Sequence, residues 1–244
     1  MKIDFLGCGD AFGSGERNQS AYLIETTDRL FLLDCGPPTL PAFKRAGFDP
    51  LRLDAIILSH LHGDHCSGLP FFLLEYLHNS RRQKPLHLAG PPGTGKRIME
   101  LSLLMFGDGS TPKGLPPTEI TLLQPERREW LDGIQVFPFR VPHQVNQISL
   151  GFKITCEGKR ILYSGDSAWT DLCLTYAEGV NLFICECSFF EGNSTHHMDY
   201  DKIKENPHRL RCKQLVLTHM REDVLIRRRE IMAKTAEDGM VMEI

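Results

Sequence analysis

The chain has 244 residues, 41% of them apolar and 24% charged. That is enough apolar sequence for one sizeable core, and it excludes disordered, fibrous and heptad-repeat proteins. Lys and Arg number 28 against 31 Asp and Glu, a formal charge of −3, which argues against a basic nucleic-acid coat. No apolar run approaches the roughly 18–20 residues of a membrane helix. Met1-Lys2-Ile3-Asp4-Phe5 leads straight into strand-like sequence with no cleavable leader, so the expectation is a cytoplasmic protein without membrane contact. Eight cysteines, at 8, 35, 66, 156, 173, 185, 187 and 212, form no closely spaced framework and are expected to be reduced and buried. Cys185 and Cys187 fall on one face of an apolar strand, which favours packing over a metal clip.

In chain order, strands are expected at Lys2–Gly7, Ala21–Glu25 and Arg29–Asp34, punctuated by Gly, Asn and Asp turns. A helix follows over Thr39–Ala46 and a short buried strand over Ala55–Leu58. Leu69–His78 reads as a helix, Leu86–Ala89 as a strand and Ile98–Met105 as a helix. Phe106–Pro117, rich in Gly and Pro, reads as a surface loop that could line a site. The second half predicts strands at Glu119–Leu122, Ile134–Arg140, Gln147–Thr155, Arg160–Ser164, Asn181–Cys187, Gln214–Leu217 and Met240–Ile244. Its helices are expected at Asp171–Ala177, Asp199–Asn206 and Asp223–Ala233. Strand-rich halves that each carry helices imply sheets stacked in the middle with helices outside. No linker or repeat interrupts the pattern, so one domain over 1–244 is expected.

Ser59-His60-Leu61-His62-Gly63-Asp64-His65 directly follows a buried strand. Three imidazoles and a carboxylate this close would each need a buried partner if they were core residues. A turn at a strand end can instead aim them at one point, where nitrogen and carboxylate donors suit Zn²⁺ or another first-row dication.

The pattern His60-x-His62-x-Asp64-His65 resembles the signature of the metallo-β-lactamase superfamily. Its context, with Gly68-Leu69-Pro70, the opening Gly7-Cys8-Gly9-Asp10, Glu16-Arg17-Asn18 and Leu32-Leu33-Asp34-Cys35-Gly36, is similar to the RNase Z branch. The resemblance implies an α/β (α+β) chain in a four-layer αββα sandwich. It also implies three more ligands: His143 in Val141-Pro142-His143, Asp166 in Ser164-Gly165-Asp166 and His219 in Thr218-His219. Carried over by position, His60, His62 and His143 would hold one metal and Asp64, His65 and His219 another, with Asp166 linking them. The cofactor implied is a pair of divalent transition-metal ions, zinc first, with manganese or iron as alternatives.

Two dications about 3.5–4 Å apart can share a water, lower its pKa and present hydroxide as a nucleophile. Hydrolysis is therefore the expected reaction. Asp64 can ligate and also orient or deprotonate that water. In RNase Z-like enzymes a glutamate after the bridging aspartate pairs with a histidine ahead of the last ligand, and Glu186 and His197 hold those places, with His196 as the neighbouring alternative. A histidine held by a carboxylate is a sound acid for the leaving group. Asp34 is either a carboxylate that orients a ligand histidine or an ordinary turn residue.

The sequence also departs from the branch. The tRNA-gripping arm of tRNA-processing RNase Z lies between the fourth histidine and the bridging aspartate, and His143 and Asp166 are here separated by two strands and a turn. That favours a small-molecule or nucleotide phosphodiester, small or cyclic, over tRNA, with an RNA 3′ end as the larger variant. A lactonase or other ester or thioester hydrolase is the alternative, and a non-catalytic metal-binding regulator the remote one. The branch also implies a homodimer as an option. Gly90-Pro91-Pro92-Gly93-Thr94-Gly95-Lys96-Arg97 imitates a phosphate-binding loop, but Arg97 stands where the Mg²⁺-binding Ser or Thr is needed, so it reads as a strand-to-helix turn.

Overall fold

The computed structural model describes residues 1–80, 82–107, 117–192 and 194–244. The first half contributes β1 (Lys2–Gly7), β2 (Ala21–Glu25), β3 (Leu30–Leu33), β4 (Ala55–Ile57), β5 (Leu86–Gly90) and β6 (Thr118–Leu122). The second half contributes β7 (Glu129–Leu131), β8 (Ile134–Arg140), β9 (Leu150–Cys156), β10 (Lys159–Tyr163), β11 (Leu182–Glu186), β12 (Leu215–Thr218) and β13 (Lys234–Thr235). The closing β14 (Val241–Glu243) returns to pair with β1. Two seven-stranded sheets result, ordered β14-β1-β2-β3-β4-β5-β6 and β13-β12-β11-β10-β9-β8-β7. Each joins an antiparallel meander to a parallel run, β3 to β6 in the first sheet and β10 to β13 in the second.

Strand alternation explains the layering. Ile3, Phe5, Tyr22, Ile24, Phe31 and Leu33 pack against Val136, Phe152, Ile154, Ile161 and Ile184 between the sheets. The intervening Leu23, Leu32, Ile56 and Leu58 face outward under α1 (Thr39–Arg45), α3 (Leu69–Leu74) and α4 (Thr94–Phe106). On the other side Leu162, Phe183 and Leu217 are covered by α5 (Asp171–Ala177), α6 (Tyr200–Glu205) and α7 (Glu222–Ile226). Strands buried on both faces must be apolar at every position, which is why their sequences read as continuous runs. The order is helices, sheet, sheet, helices: the expected αββα sandwich.

Most expected elements sit within a residue or two of their observed bounds. One expectation is corrected: the helix over Asp223–Ala233 ends at Ile226, and Arg228–Glu230 forms a single 3₁₀ turn. The chain must turn there so that Lys234 and Thr235 can lie beside Val216 and Leu217 of β12. The last residues of the expected Leu69–His78 helix relax into a wider turn over Glu75–Asn79. β7, β13 and the four-residue α2 (Gly63–Cys66) were not anticipated, being too short to show a period. Helix α4 begins at Thr94, earlier than expected, after a left-handed Gly93, and the Thr94 hydroxyl donates to the Pro91 carbonyl. The phosphate-loop imitation is therefore the turn between β5 and α4. Of the Phe106–Pro117 loop, residues 108–116 lie outside the described residues.

All eight cysteines are free, and Cys185 and Cys187 belong to the outer core beside α5 and α6. Burial pushes the Cys66 and Cys173 thiols up to about 12, so these are packing residues and poor nucleophiles at neutral pH.

Gly68, at the start of α3, closes the loop that carries the histidine motif. A Cβ there would lie 2.0 Å from the Gly36 carbonyl and 2.9 Å from that of Cys35, and the Gly68 amide donates to the Cys35 carbonyl. Both obstacles are backbone, so Gly68→Ala is expected to cost about 1–3 kcal/mol by overpacking and to lower the melting temperature by several degrees. Thermal denaturation by circular dichroism checks it.

Candidate metal centre

Every residue of the motif leaves the C-terminal end of a strand. His60 and His62 follow β4, with His62 capping α2, which carries Asp64 and His65. His143 follows β8, Asp166 follows β10 through a left-handed Gly165, Glu186 ends β11 and His219 follows β12. Because β4 and β10–β12 end on the same rim of the sandwich, side chains up to 159 positions apart (His60 to His219) converge. His219 itself has φ of 57°, fixed by its amide donating to the Cys8 carbonyl. Such a conformation persists only where the surroundings impose it.

The hydrogen bonds assign the imidazole protons. Ser59 Oγ donates to Asp34 Oδ2 at 2.7 Å, so it accepts from His60 Nδ1 at 3.0 Å. His65 Nδ1 donates to Asp34 Oδ2 at 2.8 Å, and His143 Nδ1 to the His196 carbonyl at 2.8 Å. Ser188 Oγ donates to Glu186 Oε1 at 2.8 Å and accepts from His219 Nδ1 at 3.1 Å. Four histidines thus turn their N–H outward and leave Nε2 bare at a common centre, the arrangement by which outer partners orient metal ligands. Asp34 is resolved by this: fully buried, it anchors both His60, through Ser59, and His65.

The bare nitrogens form two groups. His60 Nε2 and His143 Nε2 each lie 3.1 Å from His62 Nδ1. His65 Nε2 lies 3.2 Å from both Asp64 Oδ2 and Asp166 Oδ1, and His219 Nε2 lies 3.4 Å from both Asp64 Oδ2 and Asp166 Oδ2. Asp166 Oδ2 also approaches His143 Nε2 at 3.8 Å and His60 Nε2 at 3.9 Å, so one carboxylate reaches both groups. Lone pairs and anionic oxygens packed this closely need cations between them. Among the described residues, His60–His62–His143 and Asp64–His65–Asp166–His219 are two sets whose donor atoms all lie within 4.8 Å of one another. Each suits a borderline divalent cation.

Electrostatics separates the two sets. Burial holds the His60 and His62 imidazoles down and lowers His143 to about 4, so the first set is neutral and ready to ligate. In the second set burial opposes charge on His219, yet Asp166 and the Asp64 hydrogen bond push it up to about 9; His65 is raised for similar reasons. Protons here take the place of a cation, and the consequence has a definite sign. The raised His65 and His219 stabilise the metal-free fold below the ordinary value of 6.5, and this is lost as pH rises towards about 9. The lowered His60, His62 and His143 favour the unfolded chain once pH falls below 6.5. Metal-free protein is thus expected to melt highest near pH 6.5 and to lose stability on both sides. Metal loading is expected to remove the alkaline loss, as checked by thermal shift from pH 4 to 9.5.

Beside the second set, His197 Nδ1 donates to Glu186 Oε1 in a very short contact. Glu186 is buried, and its other oxygen accepts from the Ser167 and Met198 amides. Burial opposes charge on His197, but the Glu186 carboxylate overrides it and raises the imidazole. His196 is placed differently: its Nδ1 donates to the His143 carbonyl. Sequence reasoning missed Ser188, which joins Glu186 to His219, and Gln144, which contacts His62. It also missed the Tyr163 hydroxyl on Asp34, although a buried tyrosine ending a strand needs such a partner. The cleft over these groups is about 140 Å³ and is also bordered by Asp10, Phe12 and Arg221. A larger apolar cavity of about 600 Å³ beside α6 and β13 contains none of the motif residues.

Comparison with known proteins places this arrangement. The chain is 33% identical over 153 residues to ribonuclease Z of Methanococcus maripaludis, covering 63% of this chain and 48% of that one; it spans about half the length of the curated relatives it matches. Over whole chains it superposes on the metallo-β-lactamase fold protein YhfI of Bacillus subtilis, with a TM-score of 0.80, 23% identity and coverage of 100% and 99%. It does so likewise on the short form of human tRNase Z, with a TM-score of 0.77, 25% identity and coverage of 100% and 99%. The fold and RNase Z-like branch expected from the histidine motif are those observed. The family model described as anti-Pycsar protein Apyc1 matches residues 1–236, and with nearly every position of the sandwich and its rim inside that match, the chain belongs to the anti-Pycsar protein Apyc1 family.

Proposed function

We propose that the chain is a dinuclear, divalent-metal-dependent hydrolase of phosphodiesters, acting on a small or cyclic phosphodiester with zinc as its resident metal. His60, His62 and His143 would hold one cation, Asp64, His65 and His219 the other, and Asp166 both. When bound, such a pair supplies Lewis acidity and an ionised water at neutral pH. Asp64 would orient the attacking water and serve as the acceptor for its proton. His197, held by Glu186, gives a proton to the ester oxygen as the P–O bond breaks. The observation that carries the reading is the Glu186–His197 pair set against the second ligand group. An alkoxide leaving a phosphodiester needs an acid, and His197 beside the cleft, its imidazole raised by the Glu186 carboxylate, supports that reading.

The short link between His143 and Asp166 supports a small substrate. After residues 144–149 it consists of β9 and β10 joined by a tight hairpin turn through Glu157 and Gly158, with φ of 49° and 73°. The test is a panel on metal-loaded protein with cyclic nucleotides, linear phosphodiesters, RNA 3′ ends, lactones and thioesters side by side. Turnover of small phosphodiesters by protein holding close to two transition metals per chain is expected. Hydrolysis of lactones or thioesters with phosphodiesters untouched would overturn the proposal.

A further inference from the structure

The cavity of about 600 Å³ beside α6 and β13 opens where the outer face of the second sheet runs short of helix cover. Helix α6 is six residues long, and after Ile226 the chain leaves α7 for a single 3₁₀ turn and then β13. Leu215 at the start of β12 is therefore only half-buried, while Val216, Leu217 and Thr218 after it are buried. Leu210 and Ala233 pack against the outer core yet stay half-buried on the cavity wall. With Ile203 they give the hollow an apolar lining. Met232 is 92% exposed at its lip, where its amide donates to the Tyr200 hydroxyl at 2.8 Å.

The charges around the hollow share one sign. Lys204, Lys213 and Lys234 line it, all exposed, and among the described residues no acidic side chain does. Among the described residues none of these lysines forms an ion pair, whereas Lys2, Lys44, Lys84 and Lys96 each have a carboxylate partner. Unpaired ammonium groups around a low-dielectric hollow attract anions, and an apolar wall gains by meeting hydrocarbon in place of water. Small-molecule sites typically enclose about 300–1,000 Å³, which suits this volume. A peptide is disfavoured, because β13 is an edge strand of two residues that carries Lys234, and short lysine-bearing edges resist strand addition. We infer that the cavity binds a single-chain amphiphile with an anionic head, a medium-chain alkyl carboxylate or phosphate. Its chain lies along Ile203, Leu210 and Leu215 and its head among Lys204, Lys213 and Lys234. The site shares no residue with the metal cleft and is independent of the chemistry proposed there.

Isothermal titration calorimetry with octanoate, decanoate, dodecanoate, decyl phosphate and 1-decanol, on metal-loaded and metal-free protein, tests the site. One ligand per protein chain is expected, with affinity rising about tenfold for each pair of methylenes added and decanol weaker than decanoate. Lys204→Met combined with Lys213→Met is expected to weaken decanoate about fivefold and to leave decanol unchanged. Met232→Glu, at an exposed position the core does not use, is expected to weaken decanoate at least as much. Ala233→Trp fills the hollow and is expected to abolish binding of every ligand, with near-ultraviolet circular dichroism as the control for folding. Whichever of decanoate and decyl phosphate binds more tightly identifies the head group. Absence of binding, or binding that ignores chain length and these substitutions, would overturn the site. Binding that vanishes with the metals would place the head in the metal cleft and overturn it as well. Affinity that falls as protein concentration rises would mean that a second copy fills the cavity, which also overturns it.

Discussion

Asp166→Asn is expected to reduce phosphodiester hydrolysis by about 10³-fold or more and to lower the metal content of the purified protein. The substitution keeps shape and volume, so the effect is one of charge. The Asp166 carboxylate is buried and faces His65 at 3.2 Å, His219 at 3.4 Å and the first histidine set at 3.8–3.9 Å. An amide there removes the carboxylate that reaches both ligand groups and points N–H bonds at bare imidazole nitrogens. Removing a single preorganised charge-stabilising contact typically costs 10²–10³ in rate, and this one would serve both proposed cation sites. Near-ultraviolet circular dichroism controls for misfolding. In the metal-free state Asp166 is also the foremost group raising His219, so the loss of thermal stability between pH 6.5 and 9 is expected to shrink in the variant. Full activity with an unchanged metal content would reject the shared role.

His197→Ala is expected to discriminate between leaving groups. A general acid contributes about 10²–10⁴-fold when the departing oxygen is basic and little when it is an activated phenoxide. Cyclic or alkyl phosphodiesters are expected to lose about 10²-fold or more, and bis(p-nitrophenyl) phosphate less than tenfold; equal losses would argue for a structural role instead. Glu186→Gln tests the same pair through pH. Burial works against the protonated imidazole and the Glu186 carboxylate raises it, so without that charge His197 loses its proton at lower pH. The alkaline limb of the pH–rate profile is therefore expected to shift downward, and an unmoved limb would mean that another group supplies the proton.

The layers and the candidate ligand set were legible for different reasons. Strands such as Ala21–Glu25 and Leu182–Glu186 declare themselves because both faces are buried, leaving unbroken apolar runs ended by polar turns. The residues of Ser59–His65 declare themselves because so many donors in one turn have no packing explanation. Asp34 could not be decided from sequence, since a turn aspartate and a histidine anchor look alike until Ser59, His65 and Tyr163 are seen on its oxygens. The helix expected over Asp223–Ala233 stopped short because pairing of Lys234 with Val216, a contact between distant segments, overrode local propensity.

Local order and donor chemistry were thus written in the chain itself: which segments are strands, which turns carry nitrogen and oxygen ligands, and that no arm separates His143 from Asp166. The tertiary structure alone decided which ring nitrogen of each histidine faces inward. It also decided that Glu186 meets His197 while His196 turns away, and that Phe12 and Arg221 share one rim. Backbone periodicity reports burial one residue at a time, whereas a proton's position and a ring's neighbours depend on partners brought together from opposite sheets.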